Sequence, residues 1–195
     1  MKDYTQFSFI FIGDTHGFLD DFSKQKEIIK KTQPEIVLSE QLQHINLESP
    51  EDYEKIQQEK KISNMVAYEE VEKLIALCKE QSIKLKGFDL ETFGFDKTLQ
   101  EVIQGKRLPT HEEEQKIEEI VKKRTQHHLK LLKDNENTSQ KPIIVILGTF
   151  HLIDEGEIVK TVKNSLLIRP TDKEGKLLLE PPETIEGITY TETTR

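Results

Sequence analysis

Cysteine is almost absent from this chain. Cys78 stands alone among 195 residues, which excludes an internal disulfide framework and leads us to expect a reducing, cytoplasmic setting. No apolar stretch approaches the roughly 20 residues that cross a bilayer, so membrane insertion is not expected. The early run Phe7–Ile12 stops at Gly13-Asp14 with no cleavage pattern, so no signal peptide is expected either. An excess of positive charge is also missing. With 28 Lys+Arg against 36 Asp+Glu the net charge is −8, and an acidic chain repels phosphate backbones, so nucleic acid is not an expected partner. No solenoid repeat is present. The length is what a single hydrophobic core serves, about 100–200 residues. The 34% of hydrophobic residues suffices for such a core beside 33% charged. We therefore expect one domain over 1–195, with 181–195 as an edge strand or a flexible tail.

The apolar blocks are of two kinds. Short β-rich runs lie at Phe7–Ile12, Ile36–Leu38, Ile83–Phe88, Ile143–Leu147 and Leu166–Ile168. The first and fourth are almost continuously apolar, as strands covered on both faces are. Between the runs lie polar segments with helical spacing: Leu19–Lys31, Met65–Gln81, and a long segment from His111 to about Lys133. Thr110-His-Glu-Glu113 is a capping-box pattern that opens the last of these. Gln43–Ser63 is charged, weakly patterned and expected to be helical. This alternation predicts an α/β fold, a single layered domain with a largely parallel central sheet flanked by helices. Cys78 falls on the apolar stripe of its helix with Val71, Leu74 and Ile75, which marks it as core rather than nucleophile.

In an open parallel sheet, functional groups gather beyond the C-terminal ends of the strands. Two strands end in the same frame, Gly13-Asp14-Thr15-His16 and Gly148-Thr149-Phe150-His151. Each glycine is expected to allow a tight exit that swings the histidine over the sheet edge. A third strand ends in Glu40 and a fourth at Asp89-Leu90-Glu91, so four strand ends deliver a His or a carboxylate to one rim. A lone histidine after a strand is usually a surface or capping residue, but two in one frame together with Glu40 are harder to dismiss. The long helix adds an independent sign. Ile117, Val121, Arg124, His128 and Leu131 recur at spacings of three and four and share one face. Arg124 and His128 on an apolar face are costly unless they meet partners, and His16, Glu40 and His151 would supply them. The bland alternative is an Arg124 that reaches solvent and a His128 satisfied in the core. His127, His44 and His111 are expected at the surface.

The combination of Gly13–His16, Pro34–Glu40 ending in Glu40, and Gly148–His151 resembles the TraB/PrgY/GumN family, which shares a superfamily with the Tiki proteases, the ChaN proteins and the erythromycin esterases. Arg124 is similar to that family's helical arginine, although Thr125 stands where Asp or Asn is frequent. Asp89 is similar to an acidic position after a middle strand. The resemblance covers roughly residues 7–165. It implies an α/β fold with one site built from both Gly-x-x-His motifs. It does not fix one activity, because the superfamily includes metal-dependent proteases, esterases that use His as base, haem-binding proteins and members linked to peptide pheromones.

Several chemistries remain open on these residues. The first is hydrolysis of an amide or ester bond in a peptide or small molecule. His16 and His151, with Glu40 and Asp14, would hold a divalent metal (Mn, Zn or Co) that activates water. Glu40 would be either ligand or base. Arg124 would stabilise the oxyanion or clamp a substrate carboxylate, and Asp14, Asp89 and His128 would orient the groups in front of them. A metal-free form keeps the same residues, with Glu40 orienting a histidine that activates water. The second is a metallophosphoesterase. Phe11–Gly17 resembles the opening motif of the calcineurin-like family, with Asp14 and His16 as ligands, but that family's later motifs are missing here. The third is a non-catalytic protein that binds a peptide or haem.

Overall fold

The computed structural model describes residues 3–15, 19–59, 69–154, 156–179 and 188–195. Its strands are β1 (Phe9–Asp14), β2 (Ile36–Ser39), β3 (Asn46–Leu47), β4 (Lys84–Gly87), β5 (Ile143–Gly148), β6 (Ser165–Thr171) and β7 (Thr189–Thr194). Its helices are α1 (Leu19–Thr32), α2 (Pro50–Glu59), α3 (Glu69–Glu80), α4 (Lys97–Ile103), α5 (His111–Asn135) and α6 (Glu157–Thr161). The strands form one sheet in the order β3-β4-β2-β5-β1-β6-β7. The five inner strands are parallel, and β3 and β7 close the two edges antiparallel. This is the mixed α/β domain with a largely parallel sheet that the alternating blocks predict.

Side chains of the inner strands alternate between two apolar layers, because neighbouring residues of a strand point to opposite faces. Ile10 and Ile12 of β1 join Ile144 and Ile146 of β5 against helices α1, α2 and α3. Phe9 and Phe11 join Val145 and Leu147 against Leu132 of α5 and Ile158 and Val159 of α6. Both β1 and β5 are buried along their whole length, which is why their sequences are apolar without alternation. Cys78 lies in the first layer, fully buried, and burial pushes its thiol up to about 12. At that value it is an inert core residue.

The segment from Gln43 departs from the helical expectation. It makes a turn and the two-residue β3, which pairs with β4. Helix α2 begins only at Pro50, where Ser49 and Asp52 exchange hydrogen bonds: Ser49 N–H donates to the Asp52 carboxylate at 2.9 Å and Asp52 N–H to Ser49 Oγ at 3.3 Å. Proline suits the first helical position because its missing N–H has no partner there. Residues 60–68, including the predicted start of the third helix, lie outside the described residues. The tail supplies β7, whose edge pairing runs from Thr189 to Thr194.

The Thr110 capping box is formed in full. Glu113 N–H donates to Thr110 Oγ1, and Thr110 N–H donates to the Glu113 carboxylate at 2.8 Å. Arg107 grips the same carboxylate and holds its pKa down at about 2. Thr110→Ala should therefore cost about 1 kcal/mol, read as a shift in the urea midpoint with unchanged slope. The first half of α5 is largely exposed. Val121 on the predicted apolar face is 39% exposed, and the helix is buried only from His128 onward, at His128, Leu132 and Asn135. A helix of 25 residues spans roughly 37 Å, more than one end of a sheet covers.

Candidate functional site

The site is set by strand register. Asp14 pairs with Gly148 and Ser39 with Ile146, so β1, β2 and β5 end at nearly the same level. Glu40, one residue past β2, opens a short 3-10 turn and is buried. Its Oε2 accepts the Gly148 N–H at 2.6 Å. Asp89 follows β4 by two residues and is fully buried. Its backbone N–H donates to the carbonyl of Gln43, and its Oδ1 accepts the N–H of Leu90 at 2.7 Å. Gln43 takes a positive φ of 53° so that the turn can press against β4. A Cβ on Gly87 would stand 2.1 Å from the Gln43 carbonyl oxygen, so glycine is required there.

Helix α5 crosses this rim and sets Arg124 between the two acids. Arg124 Nε donates to both oxygens of Asp89, at 3.1 and 3.0 Å, and Nη2 donates to Asp89 and, at 2.6 Å, to Glu40 Oε1. Its side chain is 13% exposed, against 5% for Glu40 and none for Asp89. Nη1 has no acceptor among the described residues, yet it is not sealed from solvent. Arg124 thus neither reaches freely into water nor lacks partners. Of the expected partners Glu40 is met, Asp89 joins it, and among the described residues His151 is not in contact with the guanidinium; the two carboxylates offset the cost of burying it. Burial alone would lower the Arg124 pKa, and the two acids outweigh it and raise it. Burial likewise pushes the Asp89 carboxyl up, but His128 and Arg124 overcome that and hold it below the usual carboxylate value.

Two imidazoles complete the cluster. His128, one helical turn after Arg124, is fully buried and stacks flat on Phe88, with centroids 4.7 Å apart and planes at 10°. Its Nε2 lies 3.2 Å from Asp89 Oδ2, an ion-pair distance without the alignment of a hydrogen bond, and Nδ1 has no hydrogen-bond partner. His151 meets His128 edge-on at 5.2 Å. Its Nε2 is 3.4 Å from Glu40 Oε1, and among the described residues neither ring nitrogen makes a hydrogen bond. The loop carrying His151 is pinned from β6, where buried Arg169 donates to the Leu152 carbonyl and to Asp154. The structure thus brings Glu40, Asp89, Arg124, His128 and His151 together. His16 lies outside the described residues. Asp14 is buried at the end of β1, beside Gly148.

Three details depart from the sequence expectations. Gly13 sits inside β1 rather than at its exit, and Gly148 ends β5 with φ −51°, a value open to any residue. Gly13 is needed for space instead, since a Cβ there would stand 2.7 Å from Thr149 Oγ1 and 2.9 Å from Pro170 Cδ. His127 is half-buried rather than exposed. Burial, with His128 beside it, lowers its pKa.

Residues that sequence reading passed over frame the cluster. The Phe93 ring covers the Arg124 guanidinium at 5.2 Å. Thr92 and Phe93 both hold positive φ, 51° and 54°, which costs about 1–3 kcal/mol each for non-glycine residues. Thr92 is kept there by its N–H bond to Gln43 Oε1 at 2.7 Å. Gly94, next in the chain and also left-handed, is the only signal the sequence offers. At the opposite side Phe150, 60% exposed, stands 6.1 Å from His151. Behind β1, buried Asp21 accepts Thr15 N–H at 2.7 Å, Thr15 Oγ1 at 2.8 Å and the hydroxyl of Tyr190 from β7 at 2.6 Å. Burial pushes the Asp21 carboxyl above its usual value despite those bonds.

Among the described residues no three His, Cys, Asp or Glu side chains converge as a metal ion requires. The cation that Glu40 and Asp89 share is Arg124, whose charge would repel a metal at Glu40 Oε1. His16, one of the ligands expected for Mn, Zn or Co, lies outside the described residues.

No family model matches the sequence, and no curated protein matches it. Among solved structures the chain is similar to ChaN of Campylobacter jejuni, described by its cofacial haem binding. The TM-score is 0.49 and the identity 13%, over 84% of this chain and 81% of that one. The fold and the rim define an α/β protein with a buried acid–guanidinium–imidazole cluster at the C-terminal edge of its sheet. ChaN belongs to one of the groups named with the resemblance above, while the TraB/PrgY/GumN family itself is matched by no model. Among the described residues no helix is long and apolar enough to cross a membrane.

Proposed function

We propose that the chain hydrolyses an ester or amide bond at this rim without a metal. His151 is the base, Glu40 orients it, and Arg124 Nη1 donates to the carbonyl oxygen. The supporting observation is that Glu40 Oε1 meets both Arg124 Nη2 at 2.6 Å and His151 Nε2 at 3.4 Å. One buried carboxylate thereby fixes an electrophile and a base side by side. With Nε2 turned to Glu40, Nδ1 takes the proton of a water whose oxygen bonds to the carbonyl carbon. The negative charge that develops on the carbonyl oxygen meets Nη1. His151 then returns the proton to the leaving oxygen or nitrogen as its bond to carbon breaks, releasing an acid and an alcohol or amine. The contact to Glu40 is looser than a hydrogen bond, as such contacts often are before substrate binds.

The test is turnover of 4-nitrophenyl acetate and of short peptides in the presence of a chelator. His151→Ala should lower kcat/KM by about 10²–10⁴ while leaving the far-UV circular dichroism unchanged. Turnover that is indifferent to this substitution, or that a chelator abolishes, would overturn the proposal.

A second reading is binding of haem or a peptide without turnover. It is favoured by the two nitrogens of His151, which form no hydrogen bond among the described residues, and the exposed Phe150 beside it. A Soret band on haem titration that His151→Ala removes, with no hydrolysis of any substrate, would select it.

A further inference from the structure

Arg169 lies in β6, a strand buried along its whole length. Two residues beyond Leu167, it shares that residue's face of the sheet, the layer into which Leu152 packs. A guanidinium placed there is costly unless it meets partners. Its bonds run mainly to the loop between β5 and α6. Nη1 donates to the Leu152 carbonyl at 3.1 Å and to Asp154 Oδ1 at 3.0 Å, and Nη2 donates to Thr193 Oγ1 of β7 at 3.2 Å. Arg195, just after β7, grips the same oxygen of Asp154 at 2.5 Å. Leu152 is the residue after His151, so one bond from the sheet ends beside the imidazole's own backbone. The loop has little slack of its own. Gly156 N–H donates to the Ile153 carbonyl at 2.9 Å, and a Cβ on Gly156 would stand 3.0 Å from the His151 carbonyl oxygen.

We propose that Arg169, braced by Asp154, is a positioning residue for His151: it holds the loop so that the imidazole stands beside Glu40. The assignment rests on the reading of His151 as the base and adds the residue that sets its place. Arg169 itself touches no reacting atom. Its effect passes through the backbone from Leu152 to His151.

Two measurements test it. The first needs no catalysis and follows carbethoxylation of His151 by diethyl pyrocarbonate, read by peptide mass spectrometry against His111, whose side chain is 85% exposed. The ratio of the two rates should rise at least about threefold in Asp154→Ala, which loses the ion pair, and further in Arg169→Met, which also loses the bond to Leu152. Arg169→Lys keeps the charge and should recover part of the difference. Asp154 is 59% exposed, so its replacement leaves the core intact and decides the matter if Arg169→Met fails to fold. The second is 4-nitrophenyl acetate turnover, where kcat should fall about 10–100-fold in Arg169→Met with KM unchanged, as for a group that acts only on the transition state. A wild-type ratio in Asp154→Ala, or a raised ratio with unchanged kcat, would overturn the proposal. A raised ratio in a protein whose wild type turns over no ester would leave the hold on His151 standing and remove the hydrolytic reading instead.

Discussion

Gly87→Ala should destabilise the protein by about 3 kcal/mol or more. The new methyl would lie 2.1 Å from the Gln43 carbonyl oxygen, 2.7 Å from its carbonyl carbon and 2.7 Å from Ile45 N. All three are backbone atoms, so no side chain can swing aside. The turn at Gln43 must retreat from β4, and that retreat strains the Gly87 N–H bond to the Ile45 carbonyl at 2.7 Å and the Asp89 N–H bond to Gln43 at 3.0 Å. For a chain of this size each kcal/mol lowers the melting temperature by about 2–4 °C, so calorimetry should record a fall of roughly 6–12 °C. Because the same turn holds Asp89 and, through Gln43 Oε1, Thr92, the loss should extend to any activity that depends on Arg124. A variant that melts with the wild type would mean the turn and strand are not in contact.

Arg124→Met should be the most damaging change in the cluster. It leaves Asp89 and Glu40 buried without their cation, and breaking a buried ion pair by removing one partner costs about 3–5 kcal/mol. The pH dependence gives a sharper signature. In the wild type, Asp89 lies below its ordinary value. Its contribution is therefore full above the unfolded carboxylate value, about 3.9, and is lost only as pH falls through the still lower folded value. In Arg124→Met the burial that pushes Asp89 up is opposed by His128 without the guanidinium. A folded value raised above the unfolded one reverses the sign, so that stability declines as pH rises through it. The gap between variant and wild type should then be smaller at pH 4.5 than at pH 8 in urea unfolding. An equal gap at both values would show that the acids do not depend on Arg124. Asp89→Asn in the Arg124→Met background should recover part of the loss at pH 8, because it removes one of the stranded charges.

Much of the scaffold was readable before the structure, for physical reasons that differ by element. β1 and β5 are covered on both faces and so are apolar without interruption, and Thr110 and Glu113 announce the start of α5 by chemistry local to four residues. Arg124 and His128 stood out because a charged residue on an apolar helical face demands a partner. Glu40 was among the partners expected for Arg124, but Asp89 as its main partner was not readable. Asp89 lies 35 residues away in the chain, and only the register of β4 beside β2 brings it to Arg124. Phe93 was invisible for a related reason. Its position depends on a left-handed turn held by Gln43, and apart from Gly94 nothing in the local sequence favours that conformation. The short β3 was missed because two residues are too few to show an alternation, and the charged residues around it read as helix.

The bond from Tyr190 to Asp21 ties the last strand to the turn that follows the first. The last strand and the start of α1 are therefore fastened to each other behind the rim. Tension applied at β7 is shared between its backbone ladder with β6 and this phenol, which carries part of it directly to Asp21 and Thr15.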